Sequence, residues 1–194
     1  MAIITNPTTL GHPTYVGLFP RIVRRSSDIR KRRWSLLEAI TCEFPGRQEV
    51  PAMAHAIRDP LEATEDLRRS PVHQHMQLSV VSQEQGVAIL SMPLAPDLAG
   101  LAPGSVHGGM LATLADAASG FCLEGFFDLE SEIPVTTDMH VRYYRQPHGG
   151  PLVAEAQVVN VGRRLLSCEC TIVDASERVL ARSTATFMIV PFDG

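Results

Sequence analysis

The chain has no run of 18 or more uninterrupted apolar residues, which is about the shortest length that spans a bilayer as a helix. Its first residues also lack the apolar segment and small-residue cleavage site of a secretory signal. The 4 cysteines form no CxxC pair, and such spacing argues against a disulfide framework. We therefore expect a soluble protein of a reducing compartment, the cytoplasm, without a membrane partner.

Several motifs that would define other chemistries are missing as well. The glycine patterns of Rossmann and P-loop nucleotide sites are absent, and Ser105 and Ser119 lack the sequence context of a hydrolase nucleophile elbow. His73 and His75 form an H-x-H pair, but a zinc site needs three or four ligands and no third is apparent. The sequence thus predicts neither a metal nor a resident cofactor.

The charge is divided unevenly along the chain. Overall 45% of residues are hydrophobic and 20% are charged, as in a globular protein. Seven basic residues lie between Arg21 and Arg33, with one acid among them. Such a run can bind nucleic acid or anionic lipid, or direct import into an organelle, but a weakly ordered, solvated tail is the simpler interpretation. We expect a basic extension over residues 1–52, without a nucleic-acid partner, followed by one domain over residues 53–194.

The pattern of apolar residues within this domain predicts an α+β fold. A short helix is predicted over residues 59–69, and a hairpin over 76–81 and 87–93 around the turn-prone SQEQG. Helical spacing then continues from 107 to 125. Alternating or β-branched residues predict four further strands, over 135–144, 152–161, 165–173 and 179–190. Because the helix at 107–125 is apolar on nearly every face, we expect an antiparallel sheet to wrap around it.

Asp116 is an ionisable residue within this apolar helix, between Ala115 and Ala117. A buried carboxylate costs several kcal/mol unless it is paired or used. One possibility is a structural pair with a threonine hydroxyl or an arginine of a neighbouring strand. The other is a functional acid, because buried carboxylates concentrate at active sites.

His107, Gly108 and Gly109 begin the same helix. Glycines leave the free N–H groups of the first turn unshielded, and the helix dipole favours negative charge there, so the arrangement resembles an oxyanion hole. His107 and Asp116 are nine residues apart, which places them on opposite faces and about 13 Å apart along the axis. If both act in one site, two subunits must each contribute one of them, as a two-fold dimer does.

The strings HGGMLATLADAASG and VTTDMHVRYYRQP resemble hotdog-fold acyl-CoA thioesterases of the phenylacetate-pathway (PaaI) type, which also include 4-hydroxybenzoyl-CoA thioesterases. The resemblance covers roughly residues 59–190. It implies a hotdog fold, in which an antiparallel sheet wraps one long central helix. It also implies a site at a homodimer interface, usually within a homotetramer, that hydrolyses acyl-CoA to a free acid and coenzyme A. Coenzyme A is then part of the substrate, and no other cofactor is implied.

This resemblance assigns roles to individual residues. The Gly108 N–H would polarise the thioester carbonyl, with His107 beside it. The partner subunit's Asp116 would attack the carbonyl or activate water. A strand hydroxyl, Thr136 or the adjacent Thr137, would orient that water. The resemblance also places a further set near the substrate and the nucleotide end of coenzyme A: Gly109, Arg145, Arg163 and Arg164.

The chain departs from the family pattern at two places. Leu101 stands where relatives commonly have an Asn or Gln that holds the carbonyl or the water, and such a loss lowers turnover by about 10². Gln146 stands where many relatives have proline, with Pro147 one place later, which implies a changed turn after Arg145. The acyl group itself is not defined by the sequence, although Phe121, Phe126, Phe127 and Leu101 are candidate lining residues.

Two other functions remain open at this point. A hotdog hydratase or dehydratase would need a histidine opposed to an acid, and His107 and Asp116 supply both types. A non-catalytic acyl-CoA-binding regulator would explain Leu101 as lost catalysis, with the basic extension contacting nucleic acid.

Overall fold

The structure is a computed structural model that describes residues 58–84 and 86–192. All of these residues belong to one compact unit of the chain, Glu49–Gly194. The predicted basic extension over residues 1–52 lies outside the described residues.

Within the described residues the chain forms three α-helices and one six-stranded sheet. The helices are α1 (Pro60–Leu67), α2 (Pro71–His75) and α3 (Gly108–Cys122). The strands are β1 (Ser79–Glu84), β2 (Val87–Met92), β3 (Glu132–Tyr143), β4 (Leu152–Val161), β5 (Leu165–Val173) and β6 (Val179–Pro191). The sheet has the order β1-β2-β4-β5-β6-β3, and every neighbouring pair is antiparallel. This confirms the predicted α+β class and the hotdog arrangement.

Helix α3 packs across the sheet and contacts all six strands. Its fully buried side comprises small and medium apolar residues, among them Leu111, Leu114, Ala118 and Cys122. Removal of this surface from water stabilises the fold by about 25 cal/mol per Å² of apolar area. The opposite flank is only half-buried and has small or polar side chains: Gly109, Ala112, Thr113, Asp116 and Gly120. The described part of one chain therefore covers α3 on one side only.

Strand β3 forms an edge of the sheet, hydrogen-bonded to β6 alone. It is 12 residues long, which is long for an unprotected edge and exposes a row of unpaired backbone groups. Three of its large apolar side chains are exposed: Ile133, Val135 and Tyr143. A long edge of this kind is well suited to pair with another strand.

The predicted hairpin is displaced from the observed one at its first strand. Strand β1 begins at Ser79 rather than at residue 76, because Pro71 starts a second short helix and Gln77 takes a positive φ of 53°. The strand then continues to Glu84, through most of the predicted turn. Helix α3 likewise ends at Cys122, three residues before the predicted end at Gly125, which has a φ of 96°.

The free cysteines of the described part contribute to packing. Cys122, Cys168 and Cys170 are buried, and the sulfur atoms of Cys122 and Cys168 lie 3.5 Å apart. The hydrogen bond with Cys168, together with burial, raises the pKa of the Cys122 thiol. Burial raises the pKa of Cys170 to about 12. Protonated, buried thiols are poor nucleophiles, so the structure supports the packing role predicted for Cys168 and Cys170.

Candidate active site

His107 caps the N-terminus of α3. Its backbone is extended (φ −63°, ψ 132°), and its Nδ1 accepts the N–H of Gly109 at 3.0 Å. The His107 carbonyl accepts the N–H of Met110 at 2.9 Å. Among the described residues no acceptor faces the N–H of Gly108. The first turn therefore retains one free donor at the positive end of the helix dipole.

The cap also fixes the role of the His107 ring. Because Nδ1 accepts a hydrogen bond, it holds the lone pair, so in the neutral ring the proton is on Nε2. The ring is exposed. In this geometry His107 presents a hydrogen-bond donor, rather than a base, next to the free N–H of Gly108.

Gly108 is attached to the C-terminal end of β3. The Tyr143 hydroxyl donates to the Gly108 carbonyl at 3.0 Å. A Cβ at Gly108 would meet two Tyr143 ring carbons and the Tyr143 hydroxyl oxygen at 3.6–3.8 Å, which is ordinary van der Waals contact. Packing within the chain therefore leaves room for a Cβ at this position, so an alanine here would fit the fold and would keep the N–H.

Asp116 is half-buried in the middle of α3 and is paired with Thr136. The Thr136 hydroxyl donates to Oδ1 of Asp116 at 2.8 Å, and no described group donates to Oδ2. Thr136 pairs with the buried Phe187 of β6 and faces the helix, and a β-bulge then shifts the alternation of β3 between Thr136 and Asp138. The bulged residue, Thr137, donates instead to the carbonyl of Thr186 at 3.0 Å. Of the two predicted threonines, Thr136 is thus the one that contacts the acid.

The two halves of the predicted site do not meet within one chain. Helical geometry separates His107 from Asp116 by about 13 Å on opposite faces. Their anchors on β3 are also separate: Gly108 is hydrogen-bonded to Tyr143, the last residue of β3, and Asp116 to Thr136, in the N-terminal half of the strand.

The predicted coenzyme A-binding residues are also divided between two places. The backbone N–H of Arg145 donates to the carbonyl of Leu180, at the start of β6. The backbone carbonyl of Arg164 accepts the N–H of Ile189 near the end of β6, and Arg163 precedes Arg164 in the β4–β5 turn. The two β6 partners, Leu180 and Ile189, are nine residues apart, which corresponds to about 30 Å along the strand. One chain therefore does not bring these three arginines together. Gly109, predicted to bind substrate, has its N–H committed to His107.

A hydrogen-bond network next to this site was not predicted from the sequence. The Gln146 side-chain oxygen accepts the N–H of Val106 at 2.9 Å, directly before the helix cap. The Gln146 carbonyl accepts from Arg178 at 3.1 Å, and Arg178 in turn donates to Asp174 at 3.0 Å. The only sequence signal was that Gln146 replaces a proline common in relatives.

Asp174 is the buried acid at the base of this network. Its carboxylate accepts backbone N–H groups of His148, Ser176 and Arg178 in addition to the Arg178 side chain. Burial alone would raise the pKa of Asp174, but these hydrogen bonds together hold that pKa below its usual value. The folded state therefore favours the charged form.

We expect Asp174→Asn to lower the free energy of unfolding near pH 7 by about 3 kcal/mol, because the substitution leaves Arg178 and several N–H groups poorly paired. Since the folded pKa is depressed, the contribution of the carboxylate is fully present above the unfolded pKa of about 4 and is lost as the pH falls through the folded value. Urea unfolding from pH 3 to 8 measures this, with the exposed Asp97→Asn as control. A constant difference between variant and wild type down to pH 3 would contradict the assignment.

The described residues contain no cluster of three or more side chains suited to hold a metal ion. His73 Nδ1 lies 3.1 Å from the carbonyl of Leu67 and His75 Nε2 lies 3.6 Å from Asp97, so the two rings are engaged with different groups. In the described part of the chain, none of the helices has the length and apolar character needed to cross a bilayer.

Comparisons with known proteins agree with this fold. Residues 103–181 match the thioesterase superfamily. The "Putative esterase" of Halobacterium salinarum is 34% identical over 110 residues, which cover 55% of this chain and 72% of the relative. A variant of the phenylacetic acid degradation protein PaaI from Thermus thermophilus is 25% identical with a TM-score of 0.55, covering 61% of this chain and 98% of that one. A thioesterase from Haemophilus influenzae, 16% identical, shares the fold with a TM-score of 0.65 over 73% of this chain and 96% of its own.

The central helix and the antiparallel sheet that packs against it define a hotdog fold, and the relatives place the protein in the hydrolase class. The chain belongs to the thioesterase superfamily.

Proposed function

We propose that the protein hydrolyses an acyl-CoA thioester to a free acid and coenzyme A, in a site that two copies of the chain build together. The observation that supports this most directly is the anchoring of Gly108 and Asp116 to separate places along one edge strand, Gly108 at its last residue, Tyr143, and Asp116 at Thr136 in its N-terminal half. His107, Gly108, Asp116 and Thr136 are the residues assigned to catalysis.

Pairing of two β3 edges would assemble such a site. Two β3 strands that pair about a two-fold axis perpendicular to the sheet run antiparallel, so the C-terminal part of one β3 lies beside the N-terminal part of the other. Gly108, held at Tyr143, would then approach the partner subunit's Asp116, held at Thr136. The exposed apolar residues of β3 and the half-buried flank of α3 would be covered in the same contact. A homodimer is therefore the minimal unit of the proposal, and further pairing of dimers would give a tetramer.

The free groups of the site match the charges that develop during thioester hydrolysis. The Gly108 N–H and the Nε2–H of His107 would stabilise the carbonyl oxygen as it becomes negative. Asp116 would take a proton from water, which then attacks the carbonyl, or would attack directly and form an anhydride that water hydrolyses. In either case the C–S bond breaks and coenzyme A leaves as its thiolate. Thr136 would hold Oδ1 and leave Oδ2 free for the reaction.

The geometry favours hydrolysis over hydration of an enoyl thioester. A hydratase would use the histidine as a base, but Nδ1 of His107 is occupied by the N–H of Gly109 and the neutral ring presents Nε2–H. His107 would therefore donate rather than accept a proton at the substrate.

A panel of aromatic and aliphatic acyl-CoAs, assayed by release of free thiol, tests the proposal. We expect thiol release from at least one class, and little consumption of enoyl-CoA in a parallel hydration assay. The panel would also identify the acyl group. Hydration without thiol release would assign the site to a hydratase, and acyl-CoA binding without turnover would make the protein a binding module.

A further inference from the structure

The loop that precedes α3 is a small hairpin with a buried stem and an exposed tip. Ala99 and Val106 form an isolated antiparallel bridge, and the N–H of His107 donates to the carbonyl of Leu98 at 3.0 Å. Within the loop, Gly100 donates to Ser105. Residues 101–104 at its tip are exposed, and Leu101 is fully so. The stem of this hairpin leads directly into His107 and Gly108.

Val106 places a buried donor at this stem. The residue is only 1% exposed, and the bridge hydrogen bonds use its neighbours rather than its own N–H. Its acceptor is the side-chain oxygen of Gln146, at 2.9 Å. A buried N–H without an acceptor is strongly unfavourable, so Gln146 contributes, together with core packing, to the position of Val106 and of the start of α3.

Gln146 is itself held by the turn between β5 and β6. Its carbonyl accepts from Arg178 at 3.1 Å, and Arg178 is fixed by Asp174. Arg178 also lies 2.9 Å from the Nε2 atom of His148. A contiguous series of hydrogen bonds thus connects a buried carboxylate to the residue two positions before Gly108.

We propose that Gln146 is a positioning residue for the active site, whose side-chain carbonyl holds Val106 so that the free N–H of Gly108 points at the substrate carbonyl. The catalytic part of this inference rests on the proposed thioesterase function. The positional part, that Gln146 orders the segment from Val106 to Gly108, does not depend on any activity.

Three variants test the inference. Gln146→Met keeps the length of the side chain but removes the acceptor, Gln146→Glu keeps an oxygen that can accept from Val106, and Gln74→Met is a control at an exposed glutamine of α2. We expect Gln146→Met to lower kcat about 10-fold, because a misplaced oxyanion donor loses much of its effect, while KM changes less than 3-fold. Gln146→Glu and Gln74→Met should retain kcat within about 3-fold.

Hydrogen exchange of the peptide that contains residues 99–110 supplies a second readout. Exchange of this peptide should accelerate in Gln146→Met and stay near wild type in Gln146→Glu. Equal kcat and exchange in all variants would overturn the inference, as would equal losses in Gln146→Met and Gln146→Glu, since the acceptor would then not be what matters. If the wild type shows no thioesterase activity, the proposed function fails, and the exchange experiment still decides whether Gln146 orders the loop.

Discussion

Asp116→Asn is expected to abolish most of the turnover while the fold and substrate binding persist. General-base catalysis contributes about 10²–10⁴ in rate, and loss of a nucleophile costs at least as much, so we expect kcat to fall about 10³-fold. The amide has nearly the same shape as the carboxylate and can still accept the Thr136 hydroxyl at Oδ1. The melting temperature and the affinity for acyl-CoA should therefore change little.

A matched control for this variant is Asp97→Asn, which removes an exposed carboxylate that belongs neither to β3 nor to α3. It should retain kcat within about 2-fold, because Asp97 has no assigned role in catalysis or in the proposed dimer contact. Steady-state thiol release and isothermal titration with a non-hydrolysable acyl-CoA analogue separate turnover from binding. Asp116→Asn with wild-type kcat would remove Asp116 from the mechanism and leave it as the structural partner of Thr136.

The fold was predictable because each element carries its own signal. The predicted ranges of β4 and β5, residues 152–161 and 165–173, coincide with the observed strands. Alternating apolar residues define each strand, and Gly162 marks the turn between them. Helix α3 was predictable because helical spacing persists without proline for the whole element. The start of β1 was not, because the positive φ of Gln77 depends on packing that its local sequence does not indicate.

The candidate site was predictable only where a residue is chemically unusual in its own surroundings. Asp116 in an apolar helix and two glycines at a helix start are such cases. Gln146 and Asp174 are not, because a glutamine near a proline and an aspartate in a turn are ordinary residues. Their roles arise from contacts between distant segments: Val106 and Gln146 are 40 positions apart in the sequence. Such pairings become visible only when the sheet topology is known.

Two inactive variants should restore activity when they are combined in one dimer. Gly108→Pro deletes the free N–H, and proline is tolerated at the first position of a helix. The preceding residue, His107, already has the extended ψ of 132° that proline requires. We expect this variant to lose about 10²-fold or more in kcat, as when an oxyanion donor is removed. Gly108→Ala, which keeps the N–H, is the matched control and should lose far less.

In a dimer of one Gly108→Pro chain and one Asp116→Asn chain, a composite site can draw its intact N–H from the second chain and its intact carboxylate from the first. The other site of that dimer then carries both defects. Purified heterodimers with two different tags should therefore show about half the wild-type activity per dimer, although each parent variant is nearly inactive. If each site were contained in one chain, both sites of the heterodimer would be defective and no recovery would occur, because every chain would lack either its donor or its acid. Recovery thus depends on the one feature that a single chain lacks, namely the approach of Gly108 to the partner subunit's Asp116.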